Sequence, residues 1–257
     1  MFNLIKAIVN SKIQTKRIDT IGGTGFRGEL TCQPNECEGC GKCAEICPTK
    51  AIDFSEHSIP KIDYKKCVFC GRCVDACDVL ALRHTSLDVT PQSTDDSIVT
   101  IGRVIRKKMG RSLHVRHLDS GSCNACDFEM GALSNPLYDF HRYGIAFTPS
   151  PRHADLLMVT GVVTRNLEEA LHMAYDAMEE PKIVMAVGAC GSSGGIFGES
   201  YAIAGPLDKI LPVDIVVPGC PPRPAALMLA LVAAADLYGE KKNPKTLRRK
   251  LREDKEK

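Results

Sequence analysis

Residues 37–47 read CEGCGKCAEIC, and residues 67–77 read CVFCGRCVDAC. Both runs have the spacing C-x2-C-x2-C-x3-C, and both place glycine after the second cysteine. The offset between them is 30 residues (67 minus 37). Cys47 is followed by Pro48 and then by Ala51, Ile52, Asp53 and Phe54, a short strand-like run. Cys77 is followed by Asp78 and then by Val79, Leu80, Ala81 and Leu82, so the two halves read as one duplicated unit. A cubane iron–sulfur cluster needs four thiolates in a tetrahedral arrangement. Two-residue spacing lets one tight loop supply three of them, and the fourth must come from elsewhere. A zinc knuckle uses two cysteines and has no use for a third and fourth at this spacing, twice over. The segment, residues 30–86, buries too little apolar surface to be secure alone, so bound metal would act as its staple.

The rest of the composition is that of an ordinary globular protein. Of 257 residues, 44% are hydrophobic and 25% charged, with formal net charge +2. That balance gives no whole-chain case for nucleic acid. The longest apolar run, Ala225 to Ala235, is far short of the roughly 20 residues a spanning helix needs. No charged n-region, apolar h-region and cleavage site open the sequence, so no secretory signal is expected. Thirteen cysteines in a chain of this size suggest metal ligands rather than a disulfide framework, and an odd count cannot pair fully.

Outward from the duplicated unit, the polar stretch Asp88 to Ser97 reads as part of a linker spanning 87–111. Beyond it the texture alternates. Strands are expected at 113–118, 144–148, 155–160, 182–187 and 213–217. A helix is expected from Arg165 to Glu180, with Leu167, Leu171, Ala174 and Met178 on one face and Pro181 as its stop. A second helix carries the alanine-rich run and is apolar all round. Alternating strands and helices predict a largely parallel α/β sheet over 112–239. Cys123 and Cys126 follow the first strand, Cys190 the fourth and Cys220 the fifth. Open parallel sheets bind ligands at that strand edge, so these thiols are candidates for a third four-cysteine site. The alternative is separate thiols in separate loops. The last 18 residues carry nine Lys/Arg against four Asp/Glu, a basic tail (240–257) that reads as a solvated helix. An amphipathic N-terminal piece within 1–29 would suit docking on a partner.

Residues 30–86 resemble a bacterial-type two-cluster ferredoxin, in which the fourth cysteine of each run ligates the other cluster. The resemblance implies that Cys37, Cys40, Cys43 and Cys77 hold one [4Fe–4S] cluster and that Cys67, Cys70, Cys73 and Cys47 hold another. Asp78 departs from the proline expected after the last cysteine, which leaves the ligands untouched. The pieces GSCNACDFE (121–129), PSPRHADLLMVTG (149–161), GACGSSGG (188–195) and LPVDIVVPGCPP (211–222) closely resemble the small, cluster-bearing subunit shared by complex I and membrane-bound [NiFe] hydrogenases. That resemblance implies a flavodoxin-like fold behind the small α+β ferredoxin-like domain. It also implies a proximal [4Fe–4S] cluster on Cys123, Cys126, Cys190 and Cys220, the third cluster of the chain. The complex I subunit has adjacent cysteines in its first motif, whereas Cys123-Asn124-Ala125-Cys126 has the hydrogenase spacing. In most relatives the two parts are separate polypeptides, whereas here they are joined.

The function so implied is that of an electron-transfer subunit, with no catalytic residue of its own. Electrons would pass between a redox partner and a [NiFe] centre on a large partner subunit, where 2H⁺ + 2e⁻ ⇌ H₂. Implied partners are that large subunit, other peripheral and membrane subunits, and a soluble ferredoxin or a formate or CO dehydrogenase. The implied location is cytoplasmic, on the inner face of the membrane through partners. The alternatives are a complex I-related chain reducing quinone or a sulfur compound, and a stand-alone ferredoxin-type carrier. Asp127 and Glu129 follow the CxxC run, and Glu129 is a candidate proton relay. Cys32, five residues before the first ligand, reads as a structural thiol. Gly23 to Gly28 matches G-x-G-x-x-G but lacks the strand and helix that dinucleotide binding requires.

Overall fold

A computed structural model describes residues 26–54, 59–85, 109–198 and 200–242. All but Phe26–Glu29 of the expected docking segment lies outside the described residues. So do the linker up to residue 108, the basic tail from residue 243, and the glycine-rich run before Phe26.

In the ferredoxin-like part, β1 (Leu30–Cys32), α1 (Lys42–Glu45) and β2 (Ile52–Asp53) are followed by β3 (Lys61–Ile62), α2 (Arg72–Asp75) and β4 (Leu82–His84). β1 pairs antiparallel with β4, Cys32 facing Leu82, and β2 pairs with β3, Ile52 facing Ile62. Adding 30 to Cys32 and Ile52 gives Ile62 and Leu82, so the duplication extends to the strand register. Cys32 therefore occupies the place that isoleucine fills in the other half. Each four-residue helix starts from a left-handed glycine, Gly41 (φ 75°) and Gly71 (φ 82°), where a side chain would be strained. The buried core is small: Leu30, Ala51, Ile52, Ala81 and Leu82, together with the thiols of Cys43, Cys67 and Cys73.

The second part contains β5 (Leu113–Asp119), α3 (Ala125–Gly131), β6 (Ile145–Phe147), β7 (Leu156–Thr160), β8 (Val163–Thr164) and α4 (Arg165–Asp176). It continues with β9 (Ile183–Val187), α5 (Gly188–Ser193), β10 (Ile203–Gly205), β11 (Ile215–Val217) and α6 (Pro224–Lys242). The main sheet runs β6-β5-β7-β9-β11, all parallel. Numbered within the sheet, that is the 2-1-3-4-5 order of flavodoxin-like folds, whose ligand crevice lies at the switch point between the first and third strands. Here that point falls between β5, which leads to Cys123, and β7.

β7 and β9 are buried along their whole length because both sheet faces are covered. Leu156 and Met158 pack with Leu227, Met228 and Leu231 of α6 on one face. Leu157 and Val159 pack with Leu171 of α4 on the other. α4 ends at Asp176, four residues before the expected Glu180. Its last turn tightens as Met178 N–H donates to Tyr175 O, three residues back. α6 is buried on most sides, as its uniformly apolar sequence predicts. The short antiparallel pair of β8 with β10 is not legible in the sequence. Among the described residues no helix is long and apolar enough to cross a membrane.

Candidate iron–sulfur centres

The segments leaving β5, β9 and β11 bring Cys123, Cys126 at the head of α3, Cys190 within α5 and Cys220 to one edge of the sheet. Burial pushes the Cys126 thiol up to about 12, and the neighbouring Cys190, Cys220 and Cys123 add to the effect. Cys190 rises to about 11 from burial first and then from Cys220 and Cys123. The backbone is shaped around these sulfurs. A Cβ on Gly188 would lie 2.8 Å from Cys126 Sγ, and one on Gly195 would lie 3.1 Å from Cys190 Sγ. Gly161 lets the exits of β5 and β7 touch, since a Cβ there would sit 2.5 Å from Ser122 N.

A polar network fixes the first loop. Asp119 Oδ1 accepts from the N–H groups of Gly121 (2.9 Å) and Ser122 (2.8 Å). Asp127 accepts from Ser122 Oγ (2.6 Å) and from Thr160 Oγ1 (2.9 Å), so both its oxygens are held at the head of α3. His117 Nε2 lies 3.1 Å from Asp127 Oδ1 and 2.9 Å from Thr160 Oγ1. Burial lowers the His117 pKa against the pull of that carboxylate. None of these supports except Asp127 stands out in the sequence. Arg152 and His153 are exposed.

In the ferredoxin-like part the thiols fall into two groups that cross the duplication. Cys47 is among the neighbours that raise Cys67 and Cys73, both pushed to about 11, chiefly by burial. Cys77 is grouped instead with Cys37 and Cys43 around Cys32, which also rises to about 11. Backbone N–H groups point at the sulfurs: Ala51 donates to Cys47 Sγ (3.2 Å) and Phe69 to Cys67 Sγ (3.4 Å). Asp78 pairs with Lys42 of α1, tying the end of one run to the helix of the other.

The chemistry of these donor sets fits iron–sulfur clusters. In each set burial raises the pKa of at least one thiol, among them Cys43, Cys67, Cys73, Cys126 and Cys190; such a thiol resists becoming a thiolate unless a positive centre compensates, and an iron–sulfide core does so while taking N–H···S bonds. Among the described residues no three His, Cys, Asp or Glu side chains converge where a single metal ion would sit.

A seam joins the two parts. Phe26, Arg27 and Phe69 line one side of a cavity of about 320 Å³; Glu129, Cys220 and Arg223 line the other. Arg27 Nη1 donates to Cys70 O (2.6 Å), and the Arg223 guanidinium lies 4.5 Å from the Phe26 ring centre. The second ferredoxin-like thiol group is therefore the one beside Cys220: Cys67 feels Cys220, and Cys220 feels Cys70. Glu129 lines this cavity, its pKa raised by burial against the opposing charge of Arg223.

Residues 123–234 match the family described as NADH ubiquinone oxidoreductase, 20 Kd subunit, and residues 36–81 match the 4Fe-4S dicluster domain. The probable membrane-bound hydrogenase subunit mbhJ of Pyrococcus furiosus is 49% identical over 130 residues, 51% of this chain and 78% of that one. The chain belongs to the NADH ubiquinone oxidoreductase 20 kDa subunit family. Formate hydrogenlyase subunit 7 of Escherichia coli is 44% identical over 151 residues, 59% of this chain and 59% of that protein. The chain thus spans less than two thirds of that relative's length. An NADH-quinone oxidoreductase subunit of Geotalea daltonii is 42% identical over 118 residues, 46% of this chain and 69% of that one. The family stretch carries Cys123, Cys126, Cys190 and Cys220, and the dicluster stretch carries the other two groups. This member of the 20 kDa subunit family is an iron–sulfur protein with a [4Fe–4S]-binding ferredoxin part in the same polypeptide.

Proposed function

We propose that this chain is the iron–sulfur electron-transfer subunit of a multisubunit [NiFe] hydrogenase. The observation that carries the reading is the convergence of Cys123, Cys126, Cys190 and Cys220 on one sheet edge, with Cys67 and Cys70 close enough to Cys220 to interact with it. In this reading Cys37, Cys40, Cys43 and Cys77 hold one [4Fe–4S] cluster, and Cys67, Cys70, Cys73 and Cys47 hold a second. The proximal cluster is held by Cys123, Cys126, Cys190 and Cys220. Bound there, the three clusters supply one-electron carriers between a redox partner and a [NiFe] centre on a large partner subunit, where protons and hydrogen interconvert.

The chain's own residues bind, orient and seclude. The glycines at 188 and 195 give the sulfurs room, the Asp127 network holds the CxxC turn, and residues of both parts meet beside the Cys220 loop. Phe128, Ile196, Phe197 and Tyr201 are large exposed side chains on the segments that follow Cys126 and Cys190, and in this reading they belong to the docking surface for the large subunit. Peripheral attachment to a membrane runs through partners, in keeping with the membrane-bound hydrogenase relative. Glu129, half-buried and protonated more readily than an ordinary carboxylate, is the proton relay of this reading.

The likeness to an NADH-quinone oxidoreductase chain favours a second reading, in which a related complex reduces quinone or a sulfur compound. One experiment separates them. The native complex is pulled down through this chain without oxygen, and its nickel content and H₂-dependent dye reduction are assayed together. Nickel with activity supports the hydrogenase. Iron and sulfide without nickel or activity refute it and leave the second reading. Within an active complex, a Glu129→Gln variant with unchanged turnover and pH profile refutes the relay.

A further inference from the structure

The two ferredoxin-like halves are near copies, and they differ where the second meets the parallel-sheet part. The residue before the second cysteine of each run is left-handed. In the first half it is Gly39 (φ 66°), and in the second it is Phe69 (φ 53°). Left-handed backbone is natural for glycine and an outlier for a bulky aromatic residue, and such strain concentrates at functional sites. The glycine after that cysteine differs in its surroundings too. Around Gly41 a Cβ would meet nothing within 4 Å, whereas around Gly71 it would meet the Arg27 guanidinium at 3.2 Å. The first half is open at this face, and the second is covered.

What covers it leads to the other thiol site. Phe69 is stacked on Tyr64, with ring centres 6.1 Å apart, and it lines the cavity opposite Cys220. Phe26 shares that wall and carries the Arg223 guanidinium from the Cys220 loop. Arg27, the next residue, holds the Cys70 carbonyl.

We propose that Phe69 is a positioning residue, wedged with Phe26 and Arg223 between the Cys70 and Cys220 loops to set the separation of the two thiol groups. A glycine at 69 would relax the backbone and leave the loop geometry as it is at Gly39, but it would remove the wedge. The proposal rests on the cluster reading above, because the separation matters for electron exchange between the groups those thiols hold.

The test uses the complex carrying wild-type chain, Phe69→Gly, Phe69→Tyr or Phe26→Ala, prepared without oxygen and fully reduced. Iron and acid-labile sulfide are assayed, and electron paramagnetic resonance reads the dipolar splitting between neighbouring reduced clusters. Dipolar coupling falls with the cube of distance, so it reports the separation directly. At wild-type iron content, a splitting changed from wild type in Phe69→Gly and wild-type splitting in Phe69→Tyr is the expected result. Splitting unchanged in Phe69→Gly overturns the wedge and leaves the cluster reading standing. If Phe69→Gly fails to load iron, Phe26→Ala decides, and unchanged splitting there overturns the proposal. Wild-type chain without iron and sulfide overturns both.

Discussion

Alanine at position 188 separates the needs of the backbone from those of the bound group. Gly188 and Gly110 are both left-handed, with φ of +79° and +70°. A Cβ in that conformation costs about 1–2 kcal/mol at either place. At Gly110 it meets nothing within 4 Å, so Gly110→Ala carries the backbone cost alone. At Gly188 it lies 2.8 Å from Cys126 Sγ, well inside a normal contact of about 3.5–4.0 Å. In the metal-free chain the thiol rotates aside, and both variants should lower the melting temperature similarly, by about 2–4 °C per kcal/mol. In the iron-loaded chain Cys126 is tied, so Gly188→Ala should cost about 1–3 kcal/mol more, as overpacking does. The assay is thermal unfolding of both variants with and without iron and sulfide, alongside iron content. Equal effects of the two variants in the loaded chain would refute the reasoning, because they would mean that Cys126 is as free with iron as without it.

Three further outcomes follow from particular side chains. Leu171→Ala, at a site with no solvent exposure between α4 and the sheet, should cost about 2–5 kcal/mol in chemical denaturation. Met173→Ala on the exposed face of the same helix should stay within about 0.5 kcal/mol. The Tyr64 hydroxyl donates to Leu30 O (2.8 Å) and accepts from Leu30 N (3.1 Å), and burial pushes its pKa up to about 12. A raised acid is favoured neutral in the fold, so its contribution is complete below pH 10 and is lost as pH rises towards 12. Tyr64→Phe should therefore lose about 1 kcal/mol at neutral pH and decline less steeply over that alkaline range, as read from unfolding curves. Chelating the iron anaerobically should abolish amide-exchange protection in β1 to β4 first, while β7 and β9 keep theirs. Simultaneous loss in both parts would contradict a ferredoxin-like core that depends on its thiols.

Much of this architecture is legible because it rests on periodicity and covalent spacing. The duplicated runs announce themselves by composition, and the parallel strands by fully apolar stretches such as LLMVT and IVMAV. The short β8–β10 pair is invisible because two- and three-residue strands carry no period. The end of α4 falls earlier than its pattern suggests because Met178 keeps the helical spacing after the backbone has tightened. The supports of the CxxC loop escape for another reason. Thr160 and His117 lie 33 and 10 residues from Asp127, and nothing local marks them as its partners.

By itself the sequence determined which residues can bear the chemistry. Spacing sets which thiols one loop can offer, and the alternation of elements sets which strand ends carry the rest, since both follow from bond lengths and local geometry. Only the tertiary structure decided which thiols are neighbours: Cys47 with the second run, Cys77 with the first, and Cys70 with Cys220. It also decided that Phe69, unremarkable as a letter, stands in a backbone conformation suited to glycine. Burial and approach between segments far apart in the chain depend on how whole layers pack, and no local pattern encodes that.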